Sequence, residues 1–159
     1  MANIFGVAFS PDGRLLRLDV SDPKTDFNTI WQARVDGSDA HPLLPSRWNT
    51  PPHECCGVWT PDGKYNVFVS LRNNAYNLWI LPENAGWFGK RKPQPVQLTS
   101  GPLDFYSPRP SKDGKQIFVI GEQDRAELVR YDAKSGASSP HICQESPSAT
   151  WTSRAMASG

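Results

Sequence analysis

Apolar and polar residues alternate with a period of two along most of the chain, the pattern of β-strands with one buried face. The alternation forms three consecutive units, and no window combines a helical period with capping residues. The predicted first strands of the three units are residues 7–9, 57–59 and 105–107, and the second strands are residues 15–20, 65–70 and 116–120. The third strands are residues 30–35, 78–81 and 127–131. A fourth strand is predicted at residues 42–44 and 95–98. The pattern therefore predicts an all-β protein.

One turn sequence recurs between the first and second strands of each unit. Its copies are Ser10-Pro11-Asp12-Gly13-Arg14, Thr60-Pro61-Asp62-Gly63-Lys64 and Ser111-Lys112-Asp113-Gly114-Lys115. Proline presets φ, aspartate can bond the backbone that follows it, and glycine supplies the positive φ that closes a hairpin. Four strands in a unit of about 40–50 residues are typical of a β-propeller blade.

The repeats predict about three four-stranded antiparallel meanders within residues 1–136. The blades are expected at about residues 4–46, 54–101 and 105–136. Because a propeller needs at least about four blades to close, we expect an incomplete propeller. The remaining blades are then expected in a longer parent chain, where they would be the first partners of this segment.

The hexapeptides that begin at Phe9 and at Trp59 resemble the WD-like repeats of TolB-type β-propellers. The repeat of that family is an aromatic residue followed by Ser/Thr-Pro-Asp-Gly-Arg/Lys, and both copies match it. The third copy departs from the pattern, with Pro110 in place of the aromatic residue and Lys112 in place of the turn proline. The resemblance covers about residues 4–136.

The wider sequence is similar to propellers carried by large bacterial proteins, such as winged-helix transcriptional regulators and sensor kinases. This resemblance implies a non-enzymatic repeat that acts as a protein-interaction or ligand-sensing module, as a fragment of a larger bacterial regulator. The alternative is the gating propeller of a prolyl-oligopeptidase-type serine peptidase. A fold alone does not choose between these functions, and a downstream G-x-S-x-G segment would favour the peptidase.

The C-terminal residues 137–159 break the strand pattern. Ser, Ala, Thr, Pro and Gly make up 17 of the 25 residues from Ser135 onward. Such a composition is typical of a disordered tail. A shifted reading frame is the second explanation, because the shifted codons permit Leu-Asp-Phe-Ser-Arg-Asp-Gly-Lys-Trp, a further copy of the blade motif. Either way, the third blade is expected to lack its outer strand.

Composition excludes several classes of partner. Lys and Arg number 17 against 16 Asp and Glu, for a net charge of +1, so we expect no direct nucleic-acid binding by this segment. No apolar run approaches the length of a transmembrane segment. Residues 1–5 lead into a strand pattern without a basic leader, so no signal peptide is seen and the compartment stays open between periplasm and cytoplasm.

The densest group of metal-ligating residue types is the run His53-Glu54-Cys55-Cys56. His53, Cys55 and Cys56 are weak metal candidates, because zinc sites use spaced cysteines and adjacent ones cannot easily point at one ion. Adjacent cysteines also bridge only through a strained ring, so no disulfide framework is predicted. We expect a loop with one cysteine packed inward, and no metal or cofactor.

No catalytic residue emerges from the sequence. A G-x-S-x-G elbow, a P-loop and a Gly-rich dinucleotide loop are all absent from the chain, so we predict that it is not an enzyme. One loop is a candidate for partner contact, because two aromatic residues precede three cations. They are Trp87, Phe88, Lys90, Arg91 and Lys92. In the alternative, the aromatic rings fold back onto the blade and the cations stay in solvent.

Overall fold

The computed structural model describes residues 2–45, 47–83, 93–123 and 128–140. The all-β prediction is confirmed: these residues form strands and turns, and none of them belongs to a helix that could cross a membrane. The strands are β1 (Asn3–Phe9), β2 (Leu15–Asp22), β3 (Phe27–Arg34), β4 (His41–Pro42), β5 (Glu54–Trp59), β6 (Tyr65–Arg72), β7 (Ala75–Pro82), β8 (Val96–Gln97), β9 (Asp104–Pro110), β10 (Ile117–Glu122), β11 (Val129–Tyr131) and β12 (Ser138–Pro140).

The first blade is the antiparallel sheet β1–β2–β3–β4. Its β2–β3 hairpin turns at Asp22, whose backbone oxygen accepts a hydrogen bond from Asp26 N at 2.8 Å. Asp26 takes a positive φ of 57°, which Asp tolerates better than most residues. The outer strand β4 has only two residues, so the blade ends in a short edge.

The second blade repeats this order as β5–β6–β7–β8. Its β6–β7 hairpin is a two-residue loop with positive φ at both Asn73 (53°) and Asn74 (61°). Asparagine is well suited to that conformation, which matches the twist of the paired strands. The same strand order in two consecutive units is the architecture that the repeated turn sequence predicts.

The chain divides into two compact units after Gln123, and each is described by itself. In the first unit, β9 pairs with β10. In the second unit, β11 pairs with β12 in an antiparallel hairpin. Each part is a two-stranded sheet.

The strand β12 corrects one expectation from the sequence. The third blade was expected to leave the strand ending at Tyr131 without a partner, yet Ser138–Pro140 pairs with it. The cause is the turn between them: the Asp132 carboxylate accepts hydrogen bonds from Lys134 N and Ser135 N, and Gly136 has a φ of 70°. Turn chemistry thus extends the hairpin into a stretch whose composition is typical of disorder.

Consecutive blades pack through their first strands. Strand β5 lies against β1, β2 and β3, and β9 lies against β5, β6 and β7. The main core cluster is Ile30, Phe68, Trp79 and Leu81, with Leu43, Leu44 and Trp48 packed against it. The Trp48 ring packs in T-shaped arrangements with Phe68 and Trp79, at centroid distances of 5.6 and 5.1 Å. The core therefore lies at the junction of the first and second blades.

Candidate functional site

The repeated turn is built by a Ser or Thr hydroxyl and an Asp carboxylate acting together. Ser10 Oγ donates to Asp12 Oδ1 at 2.6 Å, and Arg14 N donates to the same oxygen at 3.1 Å. These two bonds hold the pKa of Asp12 below its usual value, the hydroxyl having the larger effect. Gly13 closes the turn at a φ of 69°.

The second and third turns repeat this network. The Asp62 carboxylate accepts from Thr60 Oγ1 at 2.7 Å, and the Asp113 carboxylate accepts from Ser111 Oγ at 2.6 Å. Each hydroxyl bond lowers the pKa of its aspartate. The third turn keeps this geometry although Lys112 stands where the other turns have Pro11 and Pro61. The positive φ falls on Gly63 (67°) and Gly114 (69°).

The structure does not bring the metal candidates into one site. Cys55 and Cys56 are joined by a disulfide, which differs from the expectation of one inward-packed cysteine. Cys56 lies in a β-bulge at a φ of 65°, so the two adjacent side chains no longer alternate between faces. His53 Nε2 lies 3.0 Å from the Tyr76 hydroxyl. In the described parts of the chain, no group of three or more His, Cys, Asp or Glu side chains is arranged to hold a metal.

The predicted contact loop, Trp87, Phe88, Lys90, Arg91 and Lys92, lies outside the described residues. Charged side chains are instead buried at the junction of the first and second blades. They belong to Arg17 and Asp19, two residues of an alternating strand whose only sequence signal is their charge at core-facing positions. A comparison of Arg17 and Asp19 with Val67 and Val69 at the same repeat positions would have revealed them.

Arg17 links the first and second blades. Its side chain is fully buried, and its guanidinium donates to Gln32 Oε1 and to Glu83 Oε1. The guanidinium also lies over the Trp59 ring, 4.3 Å from the centroid. Burial lowers the pKa of Arg17, and the Glu83 carboxylate opposes that shift. The two terminal nitrogens of this buried cation are thus bonded to groups from both blades, whereas its Nε is buried without a hydrogen-bond partner.

Asp19 makes a second polar link across the same junction. Its Oδ1 accepts hydrogen bonds from Cys56 N at 2.9 Å and from Gly57 N at 3.4 Å, at the bulge of β5. Burial raises the pKa of Asp19, and these backbone donors oppose the shift. On the other side, a Cβ added to Gly6 would overlap the Asp19 carboxylate, so glycine is needed there for the close approach.

Glu54 lies at the start of β5 beside a cavity of about 420 Å³, called here the Glu54 cavity. The side chain is 4% exposed, and burial raises the pKa of Glu54 to about 6. The residues that line the cavity are Thr29, Ile30, Pro42, Leu44, Pro45, Asn49, Pro52 and Glu54. It therefore combines apolar walls with one buried carboxyl group.

The first strands differ sharply in exposure. Trp59 of β5 is 8% exposed, whereas Phe9, at the same repeat position of β1, is 63% exposed. Phe5 and Val7 on β1 are exposed as well. We call Phe5, Val7 and Phe9 the leading face. It carries the positions that, in the second blade, pack against a preceding blade.

The second strands show the complementary difference. Arg17 and Asp19 of the first blade are buried, as are Val67 and Val69 of the second. The same repeat positions of the third blade are Phe118 and Ile120, which are 62% and 59% exposed. We call Phe118 and Ile120 the trailing face. The described array thus presents an apolar surface at each end.

Comparison with known proteins supports the propeller. No family model matches the chain, and no curated protein matches it. Among solved structures, TolB from Acinetobacter baumannii aligns with a TM-score of 0.58 and 19% identity, over 84% of this chain and 31% of that one. A TolB candidate from Agrobacterium tumefaciens aligns with a TM-score of 0.62 and 16% identity, over 87% of this chain and 48% of that one.

These alignments confirm the TolB-like β-propeller fold that the turn motif predicts. The chain spans about a third to a half of the length of these two structures. Its sheets are therefore the blades of an incomplete propeller, which confirms the fold class expected from the repeats.

Proposed function

We propose that this chain is a segment of a larger bacterial β-propeller protein, in which it serves as a non-enzymatic protein-interaction module. The observation that supports the proposal most is the pair of uncovered apolar faces. A soluble monomer rarely exposes such surfaces unless they meet a partner. Further blades are the partners whose shape these faces already match.

The leading face is complementary to the kind of surface that covers Trp59. Trp59 is buried because Arg17 and the rest of the first blade lie against β5. Phe9 occupies the same repeat position on β1 and lacks that cover. A blade placed before β1 would bury it in the same way, with an apolar or cationic side chain over the ring.

The trailing face would be covered by a further blade that follows the third. Val67 and Val69 are buried on the second blade, where β9 packs against β6. Phe118 and Ile120 occupy their positions on β10 and remain exposed. Both residues are large and apolar, so a following first strand would bury a substantial hydrophobic area.

An interaction role fits the way in which polar groups are used. The buried charges Arg17 and Asp19 are engaged in bonds between blades and have no geometry for acid–base chemistry. The loops at one end of the blades instead surround a surface pocket of about 570 Å³. Its residues are Thr25, Asp26, Phe27, Asn49, Thr50, Pro51, His53, Leu71, Arg72, Asn73 and Asn74. Loops held by a rigid scaffold are the usual carriers of binding.

The test begins with the coding sequence on both sides of this segment. Further blade motifs there, next to a winged helix or a kinase domain, would agree with the proposal. The extended protein is then compared with the present chain by hydrogen exchange. We expect amides of β1 and β10 to gain at least about tenfold in protection, toward the level of β6. Amides of β6, already covered on both faces, serve as the internal control.

Two outcomes would overturn the proposal. An adjoining G-x-S-x-G segment followed by Asp and His would assign the blades to a peptidase. Unchanged exchange of β1 and β10 in the extended protein would show that no further blade covers the two faces.

A further inference from the structure

The Glu54 cavity has the size and the lining of a small-molecule site. Its volume of about 420 Å³ falls in the range of ligand pockets, roughly 300–1,000 Å³. Ile30 from β3, Pro42 from β4, and Leu44 form apolar walls. Glu54 is the one charged residue among those that line this mostly apolar surface.

The Glu54 carboxyl group is buried without a cation to pair with it. Hydrogen bonds from the Asn49 side chain and the His53 backbone lower its pKa, but the Asn49 amide nitrogen also donates to Ser70 Oγ and to Leu71 O, both at 3.1 Å. Within residues 2–45, 47–83, 93–123 and 128–140, the ion pairs are Arg14–Asp12, Arg17–Glu83, His41–Asp39 and Lys64–Asp62. Glu54 belongs to none of them.

Arg72 is the cation that acts on the Glu54 carboxyl group, and its guanidinium lies over aromatic rings. It lies over the rings of Trp48 and Trp79, at 4.8 and 5.1 Å from their centroids. It lowers the pKa of Glu54 less than burial raises it, and the pKa stands at about 6. At neutral pH the carboxyl group is therefore mainly ionised, and a buried carboxylate gains most from a cation that enters with its own hydrogen-bond donors.

We propose that the Glu54 cavity binds a small organic cation, with a primary ammonium group against the Glu54 carboxylate and a compact hydrocarbon body against Ile30 and Leu44. An ammonium group supplies three donors and a full charge. The apolar walls favour a ligand with a hydrocarbon body over a hydrated inorganic cation. All residues of the site belong to the first two blades and their connection, so the site does not depend on the proposed interaction role.

Cyclohexylammonium is the probe for this site, and cyclohexanol is its uncharged counterpart. Isothermal titration calorimetry with the full chain at about pH 7.5 should show saturable 1:1 binding of cyclohexylammonium. Cyclohexanol should bind at least about tenfold more weakly, because it keeps the hydrocarbon body and loses the charge. Equal affinity for the two compounds, or no saturable binding of the amine, would overturn the proposal.

Three variants locate the binding. Glu54→Gln preserves the shape of the side chain and removes its charge, so we expect at least about a tenfold loss of amine affinity. Glu122→Gln, which removes a carboxylate from an exposed position on β10, should leave binding unchanged. Leu44→Trp should fill the cavity and abolish binding of both compounds. Circular dichroism establishes that each variant is folded, and amine binding that survives both Glu54→Gln and Leu44→Trp would place it elsewhere.

Discussion

On β6 of the second blade, the five residues from Asn66 to Ser70 are all buried, whereas on β10 of the third blade half-buried and exposed residues alternate from Ile117 to Ile120. The two strands occupy the same place in their blades. What differs is their neighbours, because β6 has a blade on each side and β10 has a blade on one. The alternation of β10 is thus the pattern of a blade that is covered on a single face.

The first blade mirrors the third, with its uncovered face on β1 instead of β10. Arg17 and Asp19 are buried toward the second blade, while Phe9 is exposed. Burial at a given repeat position therefore depends on the neighbouring blade more than on the hydrophobicity of the residue. Stability should follow the same rule, with the second blade as the most stable part of the array.

The sharpest test of this comparison pairs two phenylalanines. Phe68→Ala opens a cavity in the core cluster between the first two blades, and we expect a loss of about 3–5 kcal/mol in the free energy of unfolding. Phe118→Ala on the exposed trailing face should cost less than about 1 kcal/mol. Urea denaturation measures both. Equal losses would show that the third blade is covered in solution.

Removal of Arg17 tests the junction of the first two blades. Arg17→Ala leaves Glu83 and Gln32 without their partner and uncovers the Trp59 ring, so we expect a loss of about 3 kcal/mol. Arg14→Ala, which removes an exposed guanidinium, should change stability by less than about 0.5 kcal/mol.

A double-mutant cycle separates the ion pair from the ring contact. Combining Arg17→Ala with Glu83→Ala should give a coupling energy of about 1–3 kcal/mol. Coupling near zero would assign the stabilising effect of Arg17 to its contacts with Gln32 and Trp59.

The pH dependence of stability tests the cost of burying Glu54. The pKa of Glu54 rises from 4.5 to about 6 on folding, so the folded state holds this proton more tightly than the unfolded state. The resulting stabilisation is complete below about pH 4.5 and is lost as the pH rises through about 6. The loss amounts to roughly 2 kcal/mol.

Glu54→Gln should remove this dependence. The variant should be more stable than the parent chain at pH 8 and should show a flatter profile between about pH 4.5 and 6. Arg72 and the backbone of His53, which both lower the pKa of Glu54, are unchanged in this variant. An unchanged profile would show that Glu54 is solvated.

The sequence predicted the blades because their turns are encoded locally. Each Asp–Gly turn depends on a hydroxyl, a carboxylate and a glycine within four positions, and the hydrogen bonds at Ser111 and Asp113 show that the proline is dispensable. The outer strand β12 was missed because its hairpin depends on Asp132 and Gly136 rather than on strand composition. Local chemistry was decisive in both cases.

The junction residues could not be predicted in the same way. Arg17 is separated from Glu83 by 66 positions, and only the packing of two blades brings them together. A charged residue in a strand is ordinarily assigned to solvent. Glu54 could not be predicted for a related reason, because the cavity that it lines also takes residues from β3, from β4 and from the segment before β5.

Making the two apolar faces polar should change stability only slightly. Phe9→Thr and Phe118→Thr replace exposed rings with a residue that still favours strands, so together they should change the free energy of unfolding by less than about 1 kcal/mol. Solubility should respond more strongly, because exposed apolar faces beside strand edges promote association.

We therefore expect the double variant to bind less of a hydrophobic dye and to stay monomeric at concentrations where the parent chain associates in sedimentation velocity. Lys112→Thr combined with Gln116→Thr is the matched control, since it changes two exposed polar residues in the third blade. If dye binding and association are unchanged in the double variant, the leading and trailing faces are already covered in solution. The contrast between the second blade and its neighbours would then reflect a partner rather than a missing blade, and a large stability loss in the same variant would identify a second copy of the chain as that partner.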